Sequence, residues 1–202
     1  DVETCVPAGA AVDPRTMLRV VKSRRSVRDY LPNTIEQDTL RLVLEAGRYT
    51  ATAKNAQGCR FIVVQDELDE LKRLVWDGIE GMLALPAADK PRWVKLYKPF
   101  LVDAQAGLQD FLFRNAPAVA FVAAERADDA GLAAQNMELV AASLGLGALF
   151  NGYLCRAAEE LPAVKAFLEA ENKPLQICML LGHPAVSYRR TAPRRAGDFV
   201  MK

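Results

Sequence analysis

The sequence predicts a single α+β domain. Three features predict it: a length of 202 residues, which suits one sizeable core; stretches in which apolar residues recur at helical spacing; and short apolar runs at 61–65, 118–123 and 175–181 that read as strands.

Asp13-Pro14 opens the first helix, with an acceptor at the N-cap and a proline where its missing N–H costs nothing. Met17, Val20 and Val21 follow at i, i+3 and i+4, so one face is expected to pack. Thr34-Ile35-Glu36-Gln37 reads as a capping box, and Ile35, Leu40, Val43, Leu44 and Gly47 continue a helical stripe into a polar loop. The run 61–65 is apolar throughout and is expected to be a central strand. Asp66 is expected to cap a helix bearing Leu68, Leu71, Leu74 and Val75.

From Trp76 to Phe100 the pattern loosens, with Gly78, Gly81, Pro86, Pro91 and Pro99 as punctuation. Trp93, Tyr97 and Phe100 keep the spacing of one helical face there, so the segment reads as core with awkward connections or as a substrate-facing lid. A strand at 118–123 is followed by a helix starting near Asp128-Asp129, with Met137, Val140, Ala141 and Leu144 on one face. Residues 148–153 read as a helix C-cap and short strand; Gly145-Leu146-Gly147 lacks the full dinucleotide fingerprint and the strand before it. A short helix over 159–170 and a strand over 175–181, closed by Gly182-His183-Pro184, complete the pattern. Residues 185–202 are polar, arginine-rich and proline-broken, so they are expected to lie along another surface or to be disordered.

Hydrophobic residues make up 51% of the chain and charged residues 25%, the balance of a soluble globular protein, and the net charge of +1 offers no general attraction to nucleic acid or an anionic membrane. No apolar stretch approaches the roughly 20 residues of a membrane span. The acidic start Asp1-Val2-Glu3-Thr4 lacks the hydrophobic core of a signal peptide, so a cytoplasmic location is expected, and a first residue other than Met suggests a trimmed sequence. Cys5, Cys59, Cys155 and Cys178 stand far apart without a Cys-x-x-Cys pair, so no metal site is expected and buried free thiols are the default. His183, between Gly182 and Pro184, reads as a structural turn residue.

Two polar clusters carry the functional signal. Arg24, Arg25 and Arg28 crowd one helix end around Ser26, with Asp29 the only acid among them. A solvated basic helix end would account for them, and so would an anion site in which a hydroxyl sits among fork-shaped guanidinium donors. Thr52, Lys54, Asn55 and Gln57 sit on a nearly glycine-free loop, presenting hydrogen-bonding groups either to solvent and backbone or to a ligand.

Together these clusters resemble the flavin signature of the nitroreductase family, an Arg-Arg-Ser-x-Arg-x-Tyr/Phe motif followed by a helix into Ala-Pro-Ser/Thr-x-x-Asn-x-Gln-Pro. The matching pieces fall in the family's order: 24–30, 46–57, Gln135-Asn136-Met137 leading to Leu144-Gly145-Leu146-Gly147, and Gly182-His183-Pro184 with Arg190 and Arg194 beyond. The resemblance implies an α+β three-layer sandwich, a central mixed, mainly antiparallel sheet flanked by helices, with a C-terminal arm exchanged in a homodimer. It makes 1–202 one domain, with an N-terminal extension at 1–12, a lid at 76–108 and the arm at 185–202. Some similar proteins carry a ferredoxin module before this domain, of which Cys5 would be a remnant.

The resemblance also implies FMN at the subunit interface and NAD(P)H as co-substrate. Arg24, Arg25, Ser26 and Arg28 would hold the cofactor, and Arg190 or Arg194 would complete a phosphate clamp. Thr52, Asn55 and Gln57 would reach it from the partner, and backbone N–H groups at Asn151 and Gly152 would face the ring nitrogen that accepts hydride. No side chain is expected to be catalytic, because the flavin carries the electrons to a small-molecule acceptor: a nitroaromatic, a quinone or a related electrophile, in a ping-pong scheme. Reductive dehalogenation, flavin breakdown or non-catalytic binding of a flavin or phosphate ligand are the alternatives. Two departures stand out: Ala51 replaces the usual proline, and Gly58-Cys59 replaces Pro-Trp.

Overall fold

The computed structural model describes Gly9 and residues 12–202; Cys5, and with it the reading as a ferredoxin remnant, lies outside the described residues. Four strands form one sheet in the order β1-β2-β4-β3, with β1 Arg60–Val64, β2 Ala118–Ala123, β3 Gly147–Phe150 and β4 Leu175–Gly182. All three pairings are antiparallel, and a single parallel bridge from Ser26 to Ala148 supplies the mixed component.

Alternation along the central strands explains the three layers, since successive side chains of a strand point to opposite faces. Val119, Phe121 and Ala123 join one core cluster with Cys178 and Leu180, while Ala118, Ala120 and Val122 join a second with Met179 and Leu181. The first cluster is closed by α3 Leu68–Ala84, α6 Gly152–Glu160 and α7 Pro162–Phe167, and the second by α2 Gln37–Arg48 and α5 Ala127–Ser143. The predicted sandwich is therefore the observed one.

Several local expectations need correction. The run at 61–65 forms β1, an edge strand and not a central one. Its apolarity has another cause: Phe61 and Val63 pack against the second cluster and Ile62 against the first, so both faces are covered while the outer edge stays unpaired. The capping box at Thr34 does not form, because α2 starts at Gln37 with Glu36 as its N-cap and no side-chain cap bond. The backbone of Ile35 is instead engaged by one amide: Ile35 N–H donates to Gln65 Oε1 at 2.8 Å, and Gln65 Nε2 donates to Ile35 O at 3.0 Å.

Helix α3 is capped by Glu67, not Asp66, and runs through Gly78 and Gly81 to Ala84, well past the point where the pattern loosens. Gly78 is a packing glycine, since a Cβ there would come within 2.6 Å of Leu161 Cδ2. The remainder of 76–108 holds a 3-10 turn, Arg92–Tyr97, and α4, Lys98–Gln105, with Trp93 and Tyr97 buried. The helix expected over 159–170 is α7, over 162–167, and a further helix, α6, which was not expected, precedes it and ends at the break Leu161-Pro162.

Helix α1, Pro14–Ser23, starts as predicted, with Asp13 Oδ2 accepting the Thr16 N–H at 2.8 Å. Its apolar stripe does not pack as expected: no residue of α1 is buried, and Met17, Leu18 and Val21 are exposed. Among the described residues, no helix is long and apolar enough to cross a membrane.

Candidate functional site

The segment after α1 is held against β3, the far edge of the sheet from β1. Val27 N–H donates to Ala148 O at 3.0 Å, Ser26 bridges Ala148, and Tyr30 bridges Pro184. The Tyr30 hydroxyl donates to Val27 O at 2.8 Å, and burial pushes its pKa upward, so it stays a neutral donor. The close approach depends on Gly147, where a Cβ would stand 2.7 Å from Val27 Cβ.

This clamp distributes the arginines around two hollows. Arg24 and Arg25 line a cavity of ≈ 700 Å³ with Glu138 and Tyr188, and Arg28 lines another of ≈ 450 Å³. Arg24 pairs with Glu138 on α5, Nη1 to Oε1 at 3.2 Å, and Gln135 Nε2 donates to the other carboxylate oxygen at 3.0 Å. The Nε of Arg24 is buried without an acceptor. Arg25 donates to Arg190 O at 3.4 Å and lies over the Tyr188 ring at 4.3 Å, which seats the start of the C-terminal segment on this cluster. Arg194 joins Arg24 in lining a third cavity.

Helix α6 supplies the floor of the ≈ 450 Å³ cavity through Asn151 and Gly152. Of the two backbone donors expected here, that of Asn151 is already taken, since its N–H donates to Cys178 O at 2.9 Å. The Asn151 side chain is buried and structural as well: Oδ1 accepts the Leu154 N–H at 2.9 Å as the N-cap of α6, and Nδ2 donates to Leu112 O. Gly152 keeps its N–H without an acceptor among the described residues, and nothing lies within 4 Å of where its Cβ would be.

The polar loop after α2 is tighter than its composition suggests. Lys54, Asn55 and Gln57 all adopt positive φ, between 50° and 56°, so the reversal relies on left-handed non-glycine residues. Thr52 Oγ1 accepts the Gln57 N–H at 2.9 Å, and α5 holds the rest: Asp129 Oδ1 accepts from Ala53 N–H at 3.4 Å, and Asn136 Nδ2 donates to Thr50 Oγ1 at 2.7 Å. Thr52, Asn55 and Gln57 line none of the cavities reached by Arg24, Arg25 and Arg28, so one chain does not bring the two clusters together.

Sequence reasoning missed the other walls of the ≈ 450 Å³ cavity. Arg114 and Arg156 line it with Trp93, Tyr97, Phe111 and Tyr153, and no Asp or Glu does. Arg114 lies 4.5 Å over the Phe111 ring, Arg156 5.9 Å over the Trp93 ring, and Tyr97 Oη donates to Tyr153 O at 2.8 Å. Only the aromatic spacing of Trp93, Tyr97 and Phe100 pointed this way; the arginines belong to no motif. Among the described residues, no group of three His, Cys, Asp or Glu could hold a metal ion.

A sequence model described as the nitroreductase family matches residues 21–183. No curated protein matches the chain. Among solved structures, a nitroreductase with bound FMN from Bacteroides fragilis superposes with a TM-score of 0.71 at 24% identity, covering 92% of this chain and 97% of that one. A nitroreductase with bound FMN from Desulfitobacterium hafniense gives 0.71 at 21% identity, covering 92% and 98%. The FMN-dependent nitroreductase NfnB from Mycobacterium smegmatis, in complex with NADPH, gives 0.62 at 20% identity, covering 86% and 90%.

Proposed function

The chain belongs to the nitroreductase family, and from that premise we propose that it is an FMN-dependent oxidoreductase. It passes electrons from NAD(P)H through the flavin to a nitroaromatic, quinone or related electrophile by a ping-pong mechanism, in the cytoplasm and as a homodimer. The observation that carries this reading is the segment 24–28, which presents Arg24 and Arg25 to one cavity and Arg28 to another from a backbone pinned to β3.

The residues fit such a cofactor. Arg24 has a buried, unpartnered Nε, and Arg25 and Arg194 line the same hollows, a donor set suited to a phosphate. The bare Gly152 and its free N–H at the start of α6 suit a flat ring approaching the backbone. When bound, FMN supplies hydride acceptance and electron transfer; the protein's share is to bind it, orient it and keep positive charge beside it. Arg28 would provide that charge, favouring the anionic reduced ring. Ser26, next to Arg25 in the same pinned segment, would add a hydroxyl donor.

The polar residues on the loop after α2 would serve the site of the second subunit, since within one chain they line neither cavity. Dimerisation is supported by the exposed Met17, Leu18 and Val21 on α1, by Phe199, Val200 and Met201 in the tail, and by the unpaired edge of β1.

The test is the colour and chemistry of the purified protein. A yellow dimer whose absorbance is bleached anaerobically by NADH or NADPH and restored by a nitroaromatic or quinone is expected. Colourless protein that added FMN fails to colour would favour a binding protein for some other phosphorylated ligand.

A further inference from the structure

We propose that the cavity beside α6 selects acceptors that carry a carboxylate on an aromatic ring, and that Arg114 and Arg156 hold this anionic group. The proposal rests on the oxidoreductase reading above and names the substrate class of the same site.

Charge balance is the first ground. Arg28, Arg114 and Arg156 line one hollow of ≈ 450 Å³ that has no acidic lining residue, and none of the three forms an ion pair among the described residues. Three like charges around a partly enclosed space repel one another, and an anion between them relieves that repulsion. Arg28 sits in the segment assigned to the cofactor, so Arg114 and Arg156 are the cations left for a second ligand.

Their mounting is the second ground. Arg114 and Asn115 both adopt left-handed backbone, φ 50° and 54°, an uncommon pair for non-glycine residues. Asp110 organises that turn, its Oδ1 accepting the Phe113 N–H at 2.9 Å and its carbonyl accepting the Arg114 N–H at 2.7 Å. The guanidinium groups of Arg114 and Arg156 then rest over the Phe111 and Trp93 rings. Such packing restrains a guanidinium without consuming its N–H donors, which remain available to grip a carboxylate in a bidentate manner.

An unmet donor is the third. Trp93 is 7% exposed and its Nε1–H has no acceptor, although the residue lines this cavity. A buried donor without a partner costs free energy until one arrives. Aromatic sides beside two guanidinium groups suit a planar ring bearing an anionic substituent.

The experiment titrates the purified holoprotein with benzoate and with benzyl alcohol, read by calorimetry and tryptophan fluorescence. It then compares KM for 4-nitrobenzoate and 4-nitrobenzyl alcohol at saturating NADH or NADPH. Benzoate is expected to bind about tenfold or more tightly than benzyl alcohol, as a charge-assisted hydrogen bond warrants. The KM ratio of the two nitro compounds should follow. Arg114→Gln and Arg156→Gln should each collapse both preferences, while Arg156→Lys, which keeps the charge but loses the fork, should keep part.

Equal binding of benzoate and benzyl alcohol overturns the proposal, as does a preference that survives in both glutamine variants with unchanged circular dichroism. A loss confined to the KM for NADH or NADPH also overturns it, because the charges would then serve the dinucleotide. Yellow protein that reduces both nitro compounds without preference sinks this inference and leaves the oxidoreductase reading standing. Colourless protein that oxidises neither nicotinamide sinks that reading, and the benzoate titration still decides whether the anion site exists.

Discussion

Arg24 and Glu138 stand 3.2 Å apart, guanidinium to carboxylate, with the Glu138 side chain 2% exposed on α5 and Arg24 just past the end of α1. This pair gives Arg24 two duties, neutralising a buried carboxylate and facing the proposed cofactor cavity.

Arg24→Ala is expected to strip FMN and also to destabilise the fold by on the order of 3 kcal/mol, because Glu138 is left buried and unpaired. Adding Glu138→Gln removes the orphaned charge, so the double variant should recover most of the lost melting temperature while still failing to hold flavin. Thermal unfolding together with the flavin-to-protein absorbance ratio measures both. Full retention of flavin in the double variant would remove Arg24 from the cofactor site.

Ser26→Ala should weaken FMN retention far more than Cys59→Ser. Ser26 lies between the arginines, whereas burial pushes the Cys59 thiol up, and nearby Asp129 adds to that rise, so it offers no reactive thiolate at neutral pH. Gel filtration of both variants followed by absorbance of the retained flavin checks this, and equal retention would count against the role of Ser26.

Gly147→Ala is expected to destabilise by about 1–3 kcal/mol through overpacking. The new methyl would meet Val27 Cβ at 2.7 Å, an atom that shortening the side chain does not remove. Val27→Ala should therefore fail to rescue Gly147→Ala in urea unfolding. Because the clamp between Val27 and Ala148 positions Ser26 and Arg28, flavin affinity should fall in parallel.

Tyr97→Phe removes the donor to Tyr153 O, a bond of 2.8 Å at the start of α6, and should cost about 1 kcal/mol. Burial pushes the Tyr97 phenol up to about 12, so its titration should be absent from absorbance at 295 nm, a wavelength chosen for tyrosinate, until strongly alkaline pH (about 11 or above). A normal tyrosine titration for all five tyrosines of the chain would contradict this burial.

Asp110→Asn tests a raised carboxyl pKa with a definite sign. Burial raises the Asp110 pKa above its ordinary 3.8, against the lowering effect of its bond from Phe113 N–H and of Lys72. The folded state thus holds the proton more tightly than the unfolded chain: the resulting stability is full below the ordinary value and is lost as pH rises through the raised one. At neutral pH the ionised carboxylate is a net cost, and asparagine keeps the Oδ1 acceptor for Phe113. The variant should be more stable than the parent in urea at pH 7, with the advantage vanishing below the ordinary aspartate value.

Much of the architecture was legible in local chemistry. The strand at 118–123 and the Asp13-Pro14 helix start were readable because apolar runs and caps act within a few residues. Helix α6 was not, since it begins with Gly152 and is nucleated by a buried Asn151 whose capping role depends on the fold. Gly78 and Gly81 likewise looked like breaks in α3 because the partner of Gly78, Leu161, is distant in sequence.

By itself the sequence determined the α+β class, the arginine-serine cluster and the family, because periodicity and a short motif are written in neighbouring residues. Only the tertiary structure decided that β1 is an edge strand, that Glu138 neutralises Arg24, and that Arg114 and Arg156 share a cavity with Arg28. The physical reason is range: pairing order and charge convergence depend on which surfaces of the sheet and helices meet, and no local pattern encodes that meeting.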